Sequence, residues 1–277
     1  PDDMVFTNDL QEGMKDKDFL VLAVPSIYTR STARSMKPYI KPGQKVVNVA
    51  KGIEEDTLMT LSEQIEEELP EADVAVLSGP SHAEEVVLRK LTVLVAASKN
   101  IEAAKLVQKL FSNNTYMRVY TSDDIVGVEI CGSIKNVIAI ASGVLYGLGA
   151  GDNTRAALLT RGQAEMCRLG MALGANPHTF AGLAGMGDLI VTCLSEHSRN
   201  RYVGEHIGKG ESLDQILKDM KMIAEGVPTC RSAKALAEKS GVEMPLVNAI
   251  YESLFNGKSA LESIRELMGR ELKSEIW

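Results

Sequence analysis

The sequence predicts an α/β domain followed by an all-α domain. Within the first 122 residues, short apolar runs alternate with segments of helical spacing, the pattern of a sheet with helices packed on its faces. From residue 123 onward the strand-like runs largely disappear and long helical stretches follow one another. At 277 residues, 45% hydrophobic and 24% charged, the chain has the length for two domains and the composition of an ordinary folded protein.

The elements follow in order. A polar, helix-like segment from Thr7 to Met14 leads into Phe19 to Val24, a continuous apolar run ended by Pro25, as expected of a strand buried on both faces. Lys45 to Ala50, Val74 to Leu77, Leu91 to Ala96 and Tyr116 to Tyr120 read as further strands. Between them Leu58, Leu61, Ile65 and Leu69 recur at helical spacing behind Asp56 or Thr57 as the cap, and Pro70 stops the run. Ile101 to Phe111 repeats the pattern with Ala104, Leu106, Val107 and Leu110. Helices are then expected over 124–146, 153–173, 176–185, 197–208, 212–220, 229–240 and 245–255, with Gly, Pro and Asn punctuating them. The change of character divides the chain into 1–122 and 123–277.

Composition excludes several classes. The net charge of −7 argues against bulk electrostatic binding of nucleic acid, while leaving room for a local basic pocket. Cys131, Cys167, Cys193 and Cys230 form no C-x-x-C pair, which removes zinc and thioredoxin-like readings and leaves no expected metal. They read as reduced thiols of a cytoplasmic protein. The acidic opening at residues 1–3 is unlike a signal peptide. The apolar stretch Val137 to Gly151 is too short and too glycine-rich to span a bilayer, so no membrane insertion is expected.

A dinucleotide-binding domain normally opens with a strand, a G-x-G-x-x-G turn and a helix, which let backbone N–H groups approach a pyrophosphate. No such motif occurs here; Gly147-Leu148-Gly149-Ala150-Gly151 comes nearest, but it follows a helix and reads as a helix-ending turn. Either the protein binds no dinucleotide, or the chain begins inside the domain. The polar start before a buried strand favours the second, with roughly 60 residues, two βα units, expected before Pro1.

Chemistry concentrates at a few positions. Lys135 is the only charged residue between Glu129 and Asp152. It either snorkels to the surface or is a base whose pKa is lowered by burial and by a neighbouring positive charge. Lys51, directly after a buried strand, is a candidate for that neighbour or an ordinary loop lysine. Gly79 permits close backbone approach, and Ser81 can cap a helix or donate to a ligand. His82, which follows, reads as structural. Gly185-Met186-Gly187-Asp188 leads to Ser198-Arg199-Asn200-Arg201, whose guanidinium, amide and hydroxyl donors suit a phosphate, although the bare motif by itself reads rather as a solvated helix start.

Eight ordered segments carry a resemblance: Val24-Pro25-Ser26, Asn48 to Glu54, Ser78 to Ser81, Gly132-Ser133-Ile134-Lys135-Asn136, Gly149 to Asn153, Gly182 to Asp188, His197 to Arg201, and Glu225-Gly226. Together they resemble the NAD(P)-dependent glycerol-3-phosphate dehydrogenases, specifically their bacterial branch. The resemblance implies the C-terminal part of a Rossmann-type domain followed by a helical substrate domain of the 6-phosphogluconate-dehydrogenase-like kind. It implies interconversion of dihydroxyacetone phosphate and sn-glycerol 3-phosphate with NAD or NADP, supply of glycerophospholipid synthesis, and a homodimer. By similarity Lys135 is the catalytic proton donor and acceptor. Lys51, Gly79, Ser81, Lys135, Asp188, Ser198, Arg199 and Asn200 meet the substrate, and Lys51, Ala83, Arg199, Ile223 and Glu225 meet the cofactor. The chain departs from the family in lacking the glycine-rich turn, in Tyr146 where an acidic residue is usual, and in Ser133 for the more usual Ala or Thr. Two alternatives are a β-hydroxyacid or ketopantoate-type dehydrogenase, and an inactive substrate-binding or dimerising fragment.

Overall fold

A computed structural model describes residues 4–220 and 223–275. A short helix α1 (Leu10–Met14) precedes the first strand, β1 (Phe19–Leu22). There follow α2 (Thr29–Met36), β2 (Lys45–Asn48), α3 (Leu61–Glu68), β3 (Asp73–Ser78), α4 (Ala83–Val87), β4 (Thr92–Ala97), α5 (Ile101–Phe111) and β5 (Met117–Ser122). The strands form one sheet in the order β1-β2-β3-β4-β5. Alternate residues face opposite sides, as pleating requires. Val47, Ala75 and Leu77 pack on Ala103, Ala104 and Val107 of α5, while Val46 and Val74 pack with Ala33 and Met36 of α2 and Ile65 of α3.

Two expectations are corrected, at β1 and at the cap of α3, and the strand directions are added. β1 is an edge strand and Val21 is 46% exposed, so the run read as buried on both faces is covered only in part. β4 runs antiparallel to β3, with Ser78 beside Val95 and Val76 beside Ala97. The link between them carries only the five-residue α4, too little for a crossover over the sheet face, so the chain turns back at the carboxyl end of β3. Gly79 begins that return at φ 129°, with β4 so close that a Cβ would meet the Leu94 backbone at 3.3 Å. The cap of α3 is Thr60, not Asp56 or Thr57. Residues 54–59 form a turn in which Leu58 has φ 62°, and Ile53 bridges Thr60, so the helix cannot start earlier. Thr60 and Glu63 then form a reciprocal capping box.

The remaining chain is helical: α6 (Ile125–Gly147), α7 (Asp152–Ala172), α8 (Pro177–Phe180), α9 (Asp188–Leu194), α10 (Arg199–Gly208), α11 (Leu213–Asp219), α12 (Gly226–Lys239), α13 (Pro245–Phe255) and α14 (Ala260–Met268). α2, α9 and α14 are additions to the sequence reading, and the helix expected over 176–185 ends at Phe180. Beyond it Gly182 is extended, and a wide turn, Leu183–Gly187, folds back so tightly that a Cβ on Gly185 would lie 2.1 Å from the Phe180 carbonyl oxygen. That turn sets Asp188 at the start of α9, where a carboxylate suits the helix dipole.

α6 is the axis of the molecule. By length and apolarity it could cross a bilayer, yet 94% of its most apolar window is buried inside the protein, which accounts for its composition. Its carboxyl half lies directly on α10. A Cβ on Gly143 would stand 2.0 Å from the Arg201 carbonyl oxygen, and one on Gly204 1.9 Å from that of Ile140. Remote carboxylates fix other helices: Asp124 caps α6 through Gly127 N–H and also accepts from Asn176 N–H, and Glu165 accepts from Leu246 and Val247 N–H at the start of α13. Gly147-Leu148-Gly149 ends α6 with Gly149 at φ 71°, as the turn reading expects. Tyr146, for which the sequence offers no account, is covered by the Arg201 guanidinium, 4.3 Å from its ring centroid.

Candidate active site

Beyond the carboxyl ends of β1 and β2, a cavity of about 670 Å³ opens between the sheet and the helices. This is where ligands bind in open α/β sheets. Its sheet side is apolar, formed by Ala23, Val24, Pro25, Val49 and Leu94; its helical side carries Lys135, Asp188 and the start of α10.

Lys135 lies mid-helix in α6 and is 5% exposed, so it does not snorkel. Its ammonium donates to Asp188 Oδ1 at 2.6 Å and to Thr192 Oγ1 at 2.7 Å. Thr192 in turn donates to the Asp188 carbonyl one turn earlier, at 2.6 Å, which turns its lone pairs toward the lysine. Two of three ammonium protons are thereby placed, and the third is left for a ligand. From the sheet side, Lys51 donates to Asp188 Oδ2 at 2.7 Å and reaches the Gly79 carbonyl at 3.4 Å. One buried carboxylate thus joins two lysines from different parts of the chain.

The electrostatics follow. Burial pushes the Lys135 pKa down, Asp188 opposes the shift, and the positive charge of Lys51 adds to it. Burial alone would raise the Asp188 carboxyl, but the two ammonium groups outweigh it and hold the group below its usual value. The site therefore contains a buried acid that releases its proton more readily than an ordinary lysine.

The other expected residues are brought together as follows. Ser81, Ala83, Ser198, Arg199, Asn200, Ile223 and Glu225 line the cavity with Lys51, Lys135 and Asp188. Gly79 is not in the lining and contributes its carbonyl to Lys51. Ser81 turns its hydroxyl onto that same carbonyl at 3.0 Å, and Ser198 caps α10 by accepting from Arg201 N–H. Asn200 is partly committed to the fold: Oδ1 accepts from Gly226 N–H at 2.8 Å, and Nδ2 donates to Asn136 Oδ1 at 2.9 Å, leaving one amide proton. Arg199 is exposed, with Nη1 donating to the Ile223 carbonyl at 2.9 Å. Glu225 accepts from Ser26 N–H at 3.2 Å and from the Ser26 hydroxyl, which ties the loop after β1 to the start of α12. Five polar cavity residues stand outside the sequence reading of the site: His82, Glu84, Asn136, Thr192 and His197. The spacing of Thr192, four residues after Asp188, signals a shared helix face; His82 carries no comparable signal.

The residues present fit the nicotinamide end of NAD or NADP. The apolar strip from Ala23 to Pro25 and Val49 offers a wall for a flat ring beside the Lys135 ammonium, and the cavity edge supplies cationic Arg199 and Lys51. No G-x-G-x-x-G turn is present to receive the diphosphate.

Comparison with known proteins gives the family. Residues 1–104 match the family model described as NAD-dependent glycerol-3-phosphate dehydrogenase N-terminus, and residues 124–265 match that of the C-terminus. The expectation that the glycine-rich start of the first domain is missing is not borne out by that match. Proteins named glycerol-3-phosphate dehydrogenase, NAD(P)+, from Agathobacter rectalis and Bacillus thuringiensis are 53% and 50% identical over 99% and 100% of the chain, which covers 82% of each. The crystal structure of a glycerol-3-phosphate dehydrogenase from Coxiella burnetii is similar with a TM-score of 0.91 at 35% identity, over 95% of this chain and 80% of that one.

Proposed function

The chain belongs to the NAD-dependent glycerol-3-phosphate dehydrogenase family, and from that premise we propose how its residues interconvert dihydroxyacetone phosphate and sn-glycerol 3-phosphate. The observation that carries the proposal is the buried Lys135 ammonium, 2.6 Å from Asp188 on the wall of the strand-end cavity. NADH or NADPH, when bound, supplies the hydride for the ketone carbon. Lys51, Ala83, Arg199, Ile223 and Glu225 would hold it, with Glu225 acting through the loop at Ser26.

Lys135 gives its remaining proton to the ketone oxygen as negative charge builds there, and takes it back in the reverse direction. Its lowered pKa suits both roles, because a group that titrates nearer neutrality is an efficient acid and an efficient base; such catalysis contributes roughly 10²–10⁴-fold. Asp188 and Thr192 hold the ammonium in line, and Asp188 remains neutralised by Lys51 when Lys135 has given up its proton. Arg199, Ser198 and the free amide proton of Asn200 grip the phosphate away from the reacting carbon. Binding energy at that unreactive end then serves orientation.

We also propose that 1–122 carries the cofactor side and 123–277 the substrate side. The sheet's last strand ends at Ser122 and the helices begin at Ile125, in support of that division. The free cysteines fit a cytoplasmic protein. The resemblance supports a homodimer through the helical part and a product that feeds glycerophospholipid synthesis. A β-hydroxyacid or ketopantoate-type activity is not favoured, because relatives at 50% identity and above carry the glycerol-3-phosphate dehydrogenase name.

The test is a substrate panel followed by nucleotide absorbance. Dihydroxyacetone phosphate and glycerol 3-phosphate are expected to outperform phosphate-free keto and hydroxy acids by at least about 100-fold in kcat/KM, the value of a bidentate charged anchor. Preference for a phosphate-free acid would overturn the reading.

A further inference from the structure

The loop after β1 reaches Glu225 only because another residue leaves it room. Gly52 follows Lys51 beyond the end of β2 and is buried. A Cβ there would lie 2.7 Å from the Ser26 Cβ and 2.9 Å from the Ser26 Oγ. Packed atoms do not approach so closely, so any side chain at position 52 forces one of the two segments to move. Rotation of the Ser26 side chain gives no relief, because its Cβ is fixed to the main chain.

The segment that carries Gly52 is pinned on both sides. Lys51 donates to Asp188 Oδ2 at 2.7 Å, and the Ile53 carbonyl accepts from the Ser232 hydroxyl on α12 at 3.0 Å. The loop at Ser26 is held less firmly, since Pro25 is exposed and Ile27 is 59% exposed on either side of it. A side chain at 52 therefore displaces Ser26. Glu225 accepts from both the Ser26 N–H, at 3.2 Å, and the Ser26 hydroxyl, so a shift of the main chain weakens two bonds at once. We propose that Gly52 is a positioning residue for the nucleotide side of the site: its missing side chain is the space in which Ser26 sits to hold Glu225. This rests on the function proposed above, in which Glu225 meets the cofactor through that loop.

The experiment measures the Kd for NADH by fluorescence titration, together with KM and kcat, on the full chain and the variants S26G, G52A and G52A/S26G. S26G removes the Cβ that residue 52 would meet, and the hydroxyl with it, but keeps the main-chain N–H. It should weaken NADH binding about tenfold, the worth of one charge-assisted hydrogen bond. G52A should weaken it about 100-fold, because both bonds to Glu225 are disturbed. The double variant should return to the S26G level, about tenfold better than G52A, since the colliding atoms are no longer both present. In every variant kcat should change less than KM. Independent lesions would add, so recovery on adding S26G reads the contact itself and not general damage to the fold. If G52A does not fold, the double variant is still expected to fold and to bind as S26G does. G52A with an unchanged Kd overturns the proposal, and so does a double variant no better than G52A. An unchanged Kd in S26G would remove Glu225 from the cofactor site, and this assignment with it. Absence of NADH- or NADPH-dependent turnover by the unaltered chain would instead sink the functional reading.

Discussion

Asp188 holds two ammonium groups with one carboxylate, and the behaviour of the site follows from that sharing. The residue is 1% exposed, and each of its oxygens is taken by a different lysine. Exposed ion pairs contribute little, but removing one member of a buried set strands the others and costs about 3–5 kcal/mol. Asp188→Asn should therefore lower stability by about 3 kcal/mol in a urea titration and move the Lys135 pKa lower still. The sign of the pH dependence is fixed by the direction of the Lys135 shift. Ketone reduction needs the ammonium, so its rate falls as pH rises through the lowered pKa; alcohol oxidation needs the amine and gains over the same range. Both inflections should lie below the ordinary lysine value of about 10.4, and lower again in Asp188→Asn. An inflection at the ordinary lysine value would mean that the titrating group is not the buried one. Lys135 is legible in the sequence because a single charge in a long apolar helix demands a partner. The partner is less so: Asp188 stands out only through the family pattern.

At the scale of elements, α6 meets α10 through glycine rather than through large side chains. Gly143 and Gly147 on α6 and Gly204 and Gly208 on α10 let the two backbones touch along the crossing. That crossing carries Lys135 on one helix and Arg199 and Asn200 on the other, so its tightness sets the distance between the proposed acid and the proposed phosphate grip. Gly204→Ala has no room for its methyl against the Ile140 backbone and should destabilise by about 1–3 kcal/mol. A thermal melt unchanged within error would show that the crossing is looser than described. The spacing of these glycines is visible in the sequence; which helix meets which is a tertiary fact and is not. The same holds for the sheet. Apolar runs mark the strands, but nothing local tells β4 to run against β3, and the half-exposed β1 has the composition of a buried strand.

At the scale of the molecule, the site exists because sheet and helices each contribute to it. Lys51 and the loop at Ser26 come from the sheet side, Lys135, Asp188 and Glu225 from the helical side, and the Ser26–Glu225 pair bridges the two. Ser26→Ala removes the hydroxyl half of that bridge and leaves a carboxylate underpaired. A charge-assisted hydrogen bond is worth about 1.5–3 kcal/mol, so the KM for nucleotide should rise roughly tenfold with little change in kcat. A fall in kcat with KM unchanged would place Glu225 in the chemistry instead. The change from strands to helices after Ser122 can be read from the sequence pattern, whereas this bridge cannot, since its partners lie far apart in the chain. The central claim concerns what Lys135 does within the assembled cavity. The most direct measurement determines, for Lys135→Ala, kcat in dihydroxyacetone phosphate reduction alongside the calorimetric Kd for the same substrate. Loss of the general acid should lower kcat by at least about 100-fold, while the phosphate grip keeps Kd within about tenfold. A kcat within a few-fold of the unaltered chain, or a Kd weakened as far as kcat, would contradict the account.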